Sequence, residues 1–553
     1  MMTFSPDPAV AKKQLLAIIY YLTAFGHSDG EFDAKERRFV SDYVGKLVAE
    51  RTRAAMAGAD ALSVSVAVEK WTAQFQRVAD KIDREIAALF TESVAEGESA
   101  DQYVHAALAL RCFELLKSFD EAGRAQLFEL VDEAVRVDGA IHPNEALLRD
   151  EIQRLLAEPE AVEPEPVAVV PPSLEVAPKV ELACRTDDHP YLQHLERAYP
   201  KDAGLFASES EVDIALVHQV MTTLQEQRAR GAGRLVKGGT LRDFAGQEPF
   251  LDGYVHVLPP ERGKHYELIV VGDLHGCYSC LKAVLQQTDF MAKVEAHHAD
   301  PDNTPDTRLI FLGDYIDRGR WAFDGVLRAA MRLFVAAPHA VYLLRGNHEY
   351  YIEYEGRILA PVRPAEAMMS LEGIATPAFF REYLKLFEAL PTMLAFDRLL
   401  FVHGGIPRDQ TTSERWVDLS SLNDPDIRFQ MLWSDPSEAE TVPAELQKAS
   451  SRFAFGVKQL RHFLARIGCT TLVRGHDRIV EGFRRVYDAN DATLLSLFSA
   501  GGATNADLPD TCNYREVTPM ALTIRHCDGE SVVTPFAIDW QRFNDPKRNG
   551  FLA

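Results

Sequence analysis

The sequence predicts a chain of more than one domain: an all-α bundle over residues 1–157, a linker over 158–182, and an α/β domain built on parallel strands. Three observations carry this reading. Apolar residues in the first 157 positions recur at spacings of three and four, and no proline stands between Pro8 and Pro143, which is the pattern of amphipathic helices. Glu and Pro then alternate (Glu158-Pro159-Glu160, Glu163-Pro164-Glu165-Pro166) before Pro171-Pro172 and Pro178, which forbids regular helix and favours an extended spacer. Beyond it, three apolar runs, Leu268–Val271, Leu309–Leu312 and Val341–Leu344, each end at a short polar block. Aliphatic runs with helix-like stretches between them read as buried parallel strands.

The length of 553 residues allows roughly three or four domain-sized units. A formal net charge of −23 argues against nucleic acid or an anionic membrane as partner. The seven cysteines, Cys112, Cys184, Cys277, Cys280, Cys469, Cys512 and Cys527, form no disulfide framework, so a cytoplasmic location is expected. Lys12-Lys13 lead only into the short run Leu15–Phe25, too short for a transmembrane segment and read as a buried helix.

Two corners punctuate the helical region: Asp29-Gly30-Glu31-Phe32-Asp33-Ala34-Lys35-Glu36 and Asp138-Gly139-Ala140-Ile141-His142-Pro143-Asn144-Glu145. Each reads as a helix stop at Gly followed by acidic residues entering the next helix. Capping is preferred over metal binding for Asp29, Glu36, Asp138 and Glu145, because the loops lack the alternating ligands of an EF-hand. With its two Asp-Gly corners this region resembles the tellurite-resistance TerB-like helical domain, and the resemblance implies a sensing or interaction role toward a protein partner.

Residues 183–264 read as an N-terminal extension of the catalytic domain, with an amphipathic helix from Asp213 to Arg228 and loops and short strands from Gly238 to Pro260. No chemistry is assigned to them. The blocks that follow stand at strand ends, where open α/β sheets carry their chemistry. They are Gly272-Asp273-Leu274-His275-Gly276, Gly313-Asp314-Tyr315-Ile316-Asp317-Arg318-Gly319 and Arg345-Gly346-Asn347-His348-Glu349. Two more complete the series, His403-Gly404-Gly405 after Leu399–Val402 and Arg474-Gly475-His476-Asp477 after Thr471–Val473.

This ordered set resembles the phosphoprotein phosphatase branch of the calcineurin-like metallophosphoesterases over about residues 267–525. Leu432-Trp433-Ser434-Asp435-Pro436 and Phe498-Ser499-Ala500 add to the likeness. The resemblance implies a metallophosphoesterase sandwich over residues 265–545, two central mixed β-sheets flanked by helices. It implies two divalent metal ions, manganese with iron or zinc as alternatives, the first held by Asp273 and His275, the second by Asn347, His403 and His476, and both by Asp314. Carboxylate, amide and imidazole donors suit those metals. A hydroxide between the ions would attack phosphorus in line. His348, oriented by Asp317, would protonate the leaving oxygen, and Arg318 would grip the phosphate with Asn347. Arg345 is a further phosphate or supporting candidate. Arg452 is the candidate for a second phosphate arginine, although it stands nearer Phe455-Gly456 than the family spacing.

Tyr315, Ile316 and Trp433 are read as packing, Glu349 as structural, and the Cys277/Cys280 pair as packing rather than half a zinc site. The turn Ser499-Ala500-Gly501-Gly502-Ala503-Thr504-Asn505 replaces the family's substrate-side loop, so substrate preference is not carried over with the fold. The expected function is hydrolysis of a phosphoprotein substrate by a serine/threonine protein phosphatase. A hydrolase of dinucleoside polyphosphates or small phosphoesters is the alternative within the same chemistry. A stress-response scaffold with a vestigial phosphatase domain is the alternative of another class.

Overall fold

The computed structural model describes residues 7–27, 32–90, 98–117, 119–135, 143–157, 173–184 and 189–553. The chain forms two compact units, one of residues 1–163 with the segment 437–451, the other of residues 164–436 and 452–553.

The first unit is helical: α1 (Pro8–Gly26), α2 (Ala34–Ala55), α3 (Ala61–Leu89), α4 (Ala100–Leu116), α5 (Glu121–Val135) and α6 (Pro143–Ala157). The apolar run of the sequence is indeed a buried helix, since Leu15, Ile18, Ile19, Leu22 and Phe25 of α1 are all shielded from solvent. Reciprocal caps start two of the helices. Asp33 accepts from Glu36 N at 2.9 Å while Glu36 accepts from Asp33 N at 2.8 Å, and Ser99 and Gln102 do the same for α4. Such pairs satisfy main-chain donors that a helix start leaves open, which makes Glu36 a capping residue. Asp29, Asp138 and the side chain of Glu145 lie outside the described residues. No helix among the described residues is long and apolar enough to cross a membrane.

The second unit is an α/β sandwich. Its strands are β1 (Ser173–Val176), β2 (Phe250–Asp252), β3 (Val255–Leu258), β4 (Tyr266–Val271), β5 (Asp306–Phe311), β6 (Val341–Leu343), β7 (Ile352–Tyr354) and β8 (Arg357–Leu359). They continue with β9 (Met393–Phe396), β10 (Leu399–Val402), β11 (Thr471–Arg474), β12 (Phe483–Ala489), β13 (Ala492–Leu497), β14 (Met520–Cys527) and β15 (Glu530–Ala537). One mixed sheet runs β1-β15-β14-β4-β5-β6 and the other β12-β13-β11-β10-β9-β3-β2, with β7 and β8 as a separate hairpin. The pairs β4–β5, β5–β6 and β10–β11 are parallel.

Side-chain alternation explains the continuous apolar runs. Leu268 and Val270 face the interior between the sheets with Leu394, Phe401, Val473 and Leu495, whereas Ile269 and Val271 pack outward under helices with Val284, Val326 and Phe387. A strand buried on both faces has no polar side to show.

The helix expected from Asp213 spans Ala203–Gly231, because Asp202 caps it early through Gly204 N and Leu205 N. The C-terminal part of the expected linker is not a free spacer, since Ser173–Val176 adds to the sheet edge in parallel with β15. Segment 437–451, expected inside the catalytic domain, clusters with the helices.

Candidate active site

The polar blocks at the ends of β4, β5, β6, β10 and β11 converge on one buried cluster. Sharp turns aim them inward: His275, Asp314, Asp317, Arg318 and His476 all adopt positive φ, a conformation that costs non-glycine residues energy and recurs at functional sites. Glycine permits the closest approaches. A Cβ on Gly346 would lie 2.1 Å from Asp314 Oδ1, and one on Gly475 would lie 2.2 Å from Asp273 Oδ1.

Asp314 is central. His275 Nε2 lies 3.2 Å from its Oδ2, and His403 Nε2 lies 3.4 Å from its Oδ1. Two groups therefore share it, His275–Asp314–His348 and Asp273–Asp314–His403. The imidazoles are oriented by their outer nitrogens. His275 Nδ1 donates to the Ile316 carbonyl at 2.8 Å, and His403 Nδ1 donates to the Leu312 carbonyl at 3.1 Å. Carbonyl oxygens only accept, so each ring turns the lone pair of Nε2 toward the cluster.

Asn347 tests whether the cluster fits a cation. Its Oδ1 points at His403 Nε2 at 2.8 Å and His476 Nδ1 at 3.2 Å, with the Asp314 oxygens 3.2 and 3.3 Å away. His403 Nε2 and the Asp314 oxygens are lone-pair atoms, whereas His476, whose Nε2 accepts from Arg452, donates from Nδ1. An amide turned one way donates to His403 Nε2 and the Asp314 oxygens; turned the other, its oxygen joins their lone pairs as a donor set for a cation. Main-chain His476 N donates to both Asp273 oxygens, at 3.0 and 3.1 Å. Mixed carboxylate, amide and imidazole donors suit manganese, iron or zinc.

The electrostatics agree. Burial pushes the Asp314 carboxyl up to about 7, and burial together with repulsion from Asp314 raises Asp273 well above the usual carboxylate range. Burial holds His275, His403 and His476 below the ordinary imidazole value. These neutral rings and hard-to-ionise carboxyls are what divalent cations relieve.

Beside the cluster, His348 Nδ1 lies 2.7 Å from Asp317 Oδ2, and Asp317 Oδ1 accepts from Ala367 N at 2.8 Å. Both carboxylate oxygens are engaged, so the His348 ring is fixed. Arg318 Nη1 donates to Glu366 Oε1 at 3.0 Å, and Tyr514 is bonded to the same guanidinium. Tyr514 also packs against His275, with ring centroids 5.2 Å apart. Arg452 reaches the cluster, its Nη1 donating to His476 Nε2 at 2.7 Å and to Asp435 Oδ2 at 3.2 Å. Arg345 is placed to support the loop instead, donating from Nε to the Glu349 carbonyl at 2.9 Å with its guanidinium over Tyr350.

Glu349 holds two of the loops together. Its carboxylate accepts from Asp314 N at 2.8 Å, Tyr315 N at 3.0 Å and Gly346 N at 2.9 Å. Cys277 and Cys280 are fully buried, and burial raises the Cys277 thiol.

Sequence reasoning missed four neighbours. Glu366 and Tyr514 belong to no block. Asp435 and Arg474 sit in blocks that were seen, yet their pairing was not: Arg474, wholly buried, donates from Nη2 to Asp435 Oδ1 at 2.6 Å and from Nη1 to Asp477. A charged residue inside an apolar strand end was the available signal.

Sandwich, shared carboxylate and histidine-lined cluster together define a metallophosphoesterase fold. Residues 266–478 match the family model for calcineurin-like phosphoesterases, and this part of the chain is a calcineurin-like metallophosphoesterase domain, distantly related to serine/threonine protein phosphatases. The chain is 25% identical over 293 residues to a probable serine/threonine-protein phosphatase of Encephalitozoon cuniculi, covering 52% of this chain and 58% of the relative. It is 27% identical over 255 residues to the serine/threonine-protein phosphatase BSL2 of Arabidopsis thaliana, covering 43% of this chain and 23% of BSL2. The chain thus spans less than two thirds of either relative. Among solved structures, a Saccharomyces cerevisiae protein serine/threonine phosphatase with similarity to human phosphatase PP5 aligns with a TM-score of 0.37 and 18% identity, over 63% of this chain and 93% of that one.

Proposed function

We propose that the α/β unit is a binuclear, metal-dependent phosphomonoesterase acting on phosphoserine and phosphothreonine in proteins. The observation that supports the reading is the buried Asp314 carboxylate shared by two groups, His275 with His348 and Asp273 with His403.

Asp273, His275 and Asp314 would hold one cation, and Asp314, Asn347, His403 and His476 the other. Bound there, two divalent ions, manganese or else iron or zinc, supply Lewis acidity toward the phosphoryl oxygens and lower the pKa of the attacking water. The chain's own groups do the rest. The Arg318 and Arg452 guanidinium forks receive the equatorial phosphate oxygens and hold phosphorus in line with the attack. Carboxylates compete for both arginines, Glu366 for one and Asp435 for the other, so an arriving phosphate finds them already oriented. His348 delivers a proton from Nε2 to the departing serine or threonine oxygen, and Asp317 on Nδ1 stabilises the charged ring. Alkoxides are poor leaving groups, which makes this proton decisive for phosphothreonine. The TerB-like reading of the helical unit rests on its two acidic corners alone, and with it the role of that unit in choosing a protein partner.

The test compares phosphate release by the manganese-loaded protein from a phosphothreonine peptide and from a symmetrical dinucleoside tetraphosphate, with Asp314→Asn as the blank. Preference for the peptide, lost in the blank, is expected. Preference for the dinucleotide would move the substrate to the small-phosphoester class. Release from neither, with metal bound, would favour the scaffold.

A further inference from the structure

Arg318 stands on a fixed base. Its φ is +63° and that of Asp317 is +66°, and Gly319 N closes the turn by donating to His275 O at 2.9 Å and to Asp317 O at 2.7 Å. The short helix Glu366–Ser370 begins beside this turn. Ala365 and Ala367, on either side of Glu366, are buried, and Ala367 N donates to Asp317 Oδ1 at 2.8 Å. The main chain is held on both sides, so movement here falls to the two long side chains that meet between them.

Those side chains are Arg318 and Glu366. Arg318 Nη1 donates to Glu366 Oε1 at 3.0 Å, and Glu366 Oε2 lies 3.5 Å from Arg318 N. Both carboxylate oxygens are thus turned on one residue. The Arg318 side chain is 11% exposed and that of Glu366 35%, so the carboxylate is the partner that swings into water at small cost. Asp435, beside Arg452, is built differently. It also accepts from the buried Arg474, and it keeps that partner when Arg452 turns to a ligand.

We propose that Glu366 competes with bound phosphate for Arg318 and so drives product release. The inference rests on the proposed function, in which Arg318 receives phosphate oxygens. A phosphate that takes Nη1 displaces the carboxylate, which then stands as a further negative charge beside the ligand. Once hydrolysis has parted phosphate from the serine or threonine, Glu366 recaptures the guanidinium, while Tyr514 keeps it aimed. Substrate and product present the same oxygens to Arg318, so the competitor weakens both alike. That raises KM, but it spares turnover from stalling on release. Glu366 touches no reacting atom and is a positioning residue.

The experiment titrates inorganic phosphate into the full, manganese-loaded chain by calorimetry and measures its Ki against hydrolysis of an aryl phosphate. Glu366→Gln keeps the shape of a partly exposed side chain and leaves the Ala367 N contact in place. It is expected to tighten phosphate about fivefold in both measurements, the worth of one solvent-screened ion pair. Glu366→Asp keeps the charge but is one methylene too short to reach Nη1, and it should tighten phosphate as well. In an Arg318→Ala background Glu366→Gln should change the affinity by less than about twofold, because the contested group is gone. Weaker or unchanged phosphate binding in Glu366→Gln would overturn the proposal. So would a tightening that persists undiminished in the Arg318→Ala background, or one that Glu366→Asp does not share, since either marks a diffuse effect of charge. Absence of both phosphate binding and turnover in the unaltered chain would instead remove the proposed function, and this inference with it.

Discussion

The His348–Asp317 pair offers the sharpest test of the proposed chemistry. In Asp317→Asn the side-chain oxygen is claimed by Ala367 N, which in the native protein donates to Asp317 Oδ1 at 2.8 Å. The new amide nitrogen then faces His348 Nδ1 at the position of the 2.7 Å contact. Two donors cannot share that gap, so the ring must accept at Nδ1 and can no longer be stabilised as a cation. The charge-assisted bond forfeited is worth roughly 1.5–3 kcal/mol, and general acid catalysis contributes about 10²–10⁴ in rate. Asp317→Asn should therefore lower kcat on a phosphothreonine peptide by about 10²–10⁴. An aryl phosphate with an acidic leaving phenol needs little protonation, and its kcat should fall by less than about tenfold on the same argument. Steady-state kinetics on both substrates at saturating manganese separates the cases. An equal loss on the two substrates would refute the acid role and make Asp317 a structural support.

The remaining expectations concern metal and stability. In metal-free protein the Asp314 carboxyl sits at about 7 and Asp317 at about 6, both raised by burial above ordinary carboxyls. The folded state thus keeps protons that the unfolded chain releases, so stability from these groups is present at low pH and lost as pH rises through 6 to 7. Cations replace those protons, so chelated protein should melt lower at pH 7.5 than at pH 5.5, manganese should cancel the difference, and binding should release protons; thermal scans and calorimetry in two buffers check this. Gly475→Ala puts a Cβ at 2.2 Å from Asp273 Oδ1, and a displaced ligand should weaken manganese binding by about 10–100-fold in a calorimetric titration. Arg328, buried, donates from Nη2 to Asp213 Oδ2 at 2.7 Å and from Nε to both of its oxygens at 3.0 Å. Arg328→Ala should cost about 3–5 kcal/mol in urea unfolding by stranding the carboxylate, without altering manganese affinity.

The buried Asp/His cluster was legible because each of its residues follows a strand that must be apolar on both faces. Runs such as Leu268–Val271 and Leu399–Val402 mark where chain emerges from the core, and the polar residue after each is the anomaly that chemistry explains. Glu366 carries no such mark. It stands 48 residues after Arg318 at the start of the short helix Glu366–Ser370 rather than at the end of a buried strand, and only the tertiary path brings its carboxylate to the guanidinium. Tyr514 was hidden by insertion, since residues 501–513 separate it from Phe498-Ser499-Ala500 even though its ring rests 4.9 Å from Phe498.

Sheet edges were hidden for a related reason. Nothing local in Ser-Leu-Glu-Val, residues 173–176, requires a strand amid prolines, and its main-chain bonds come from β15, more than 350 residues later, because an open edge pairs with whatever extended chain reaches it. Arg452 is the most informative case. It reads as an arginine nearer Phe455-Gly456 than the family spacing, yet it pairs with Asp435 at 3.2 Å and donates to His476 Nε2 at 2.7 Å. The segment 437–451 just before it clusters with the helices rather than with the α/β unit, so spacing along the chain is a poor guide to where this guanidinium arrives.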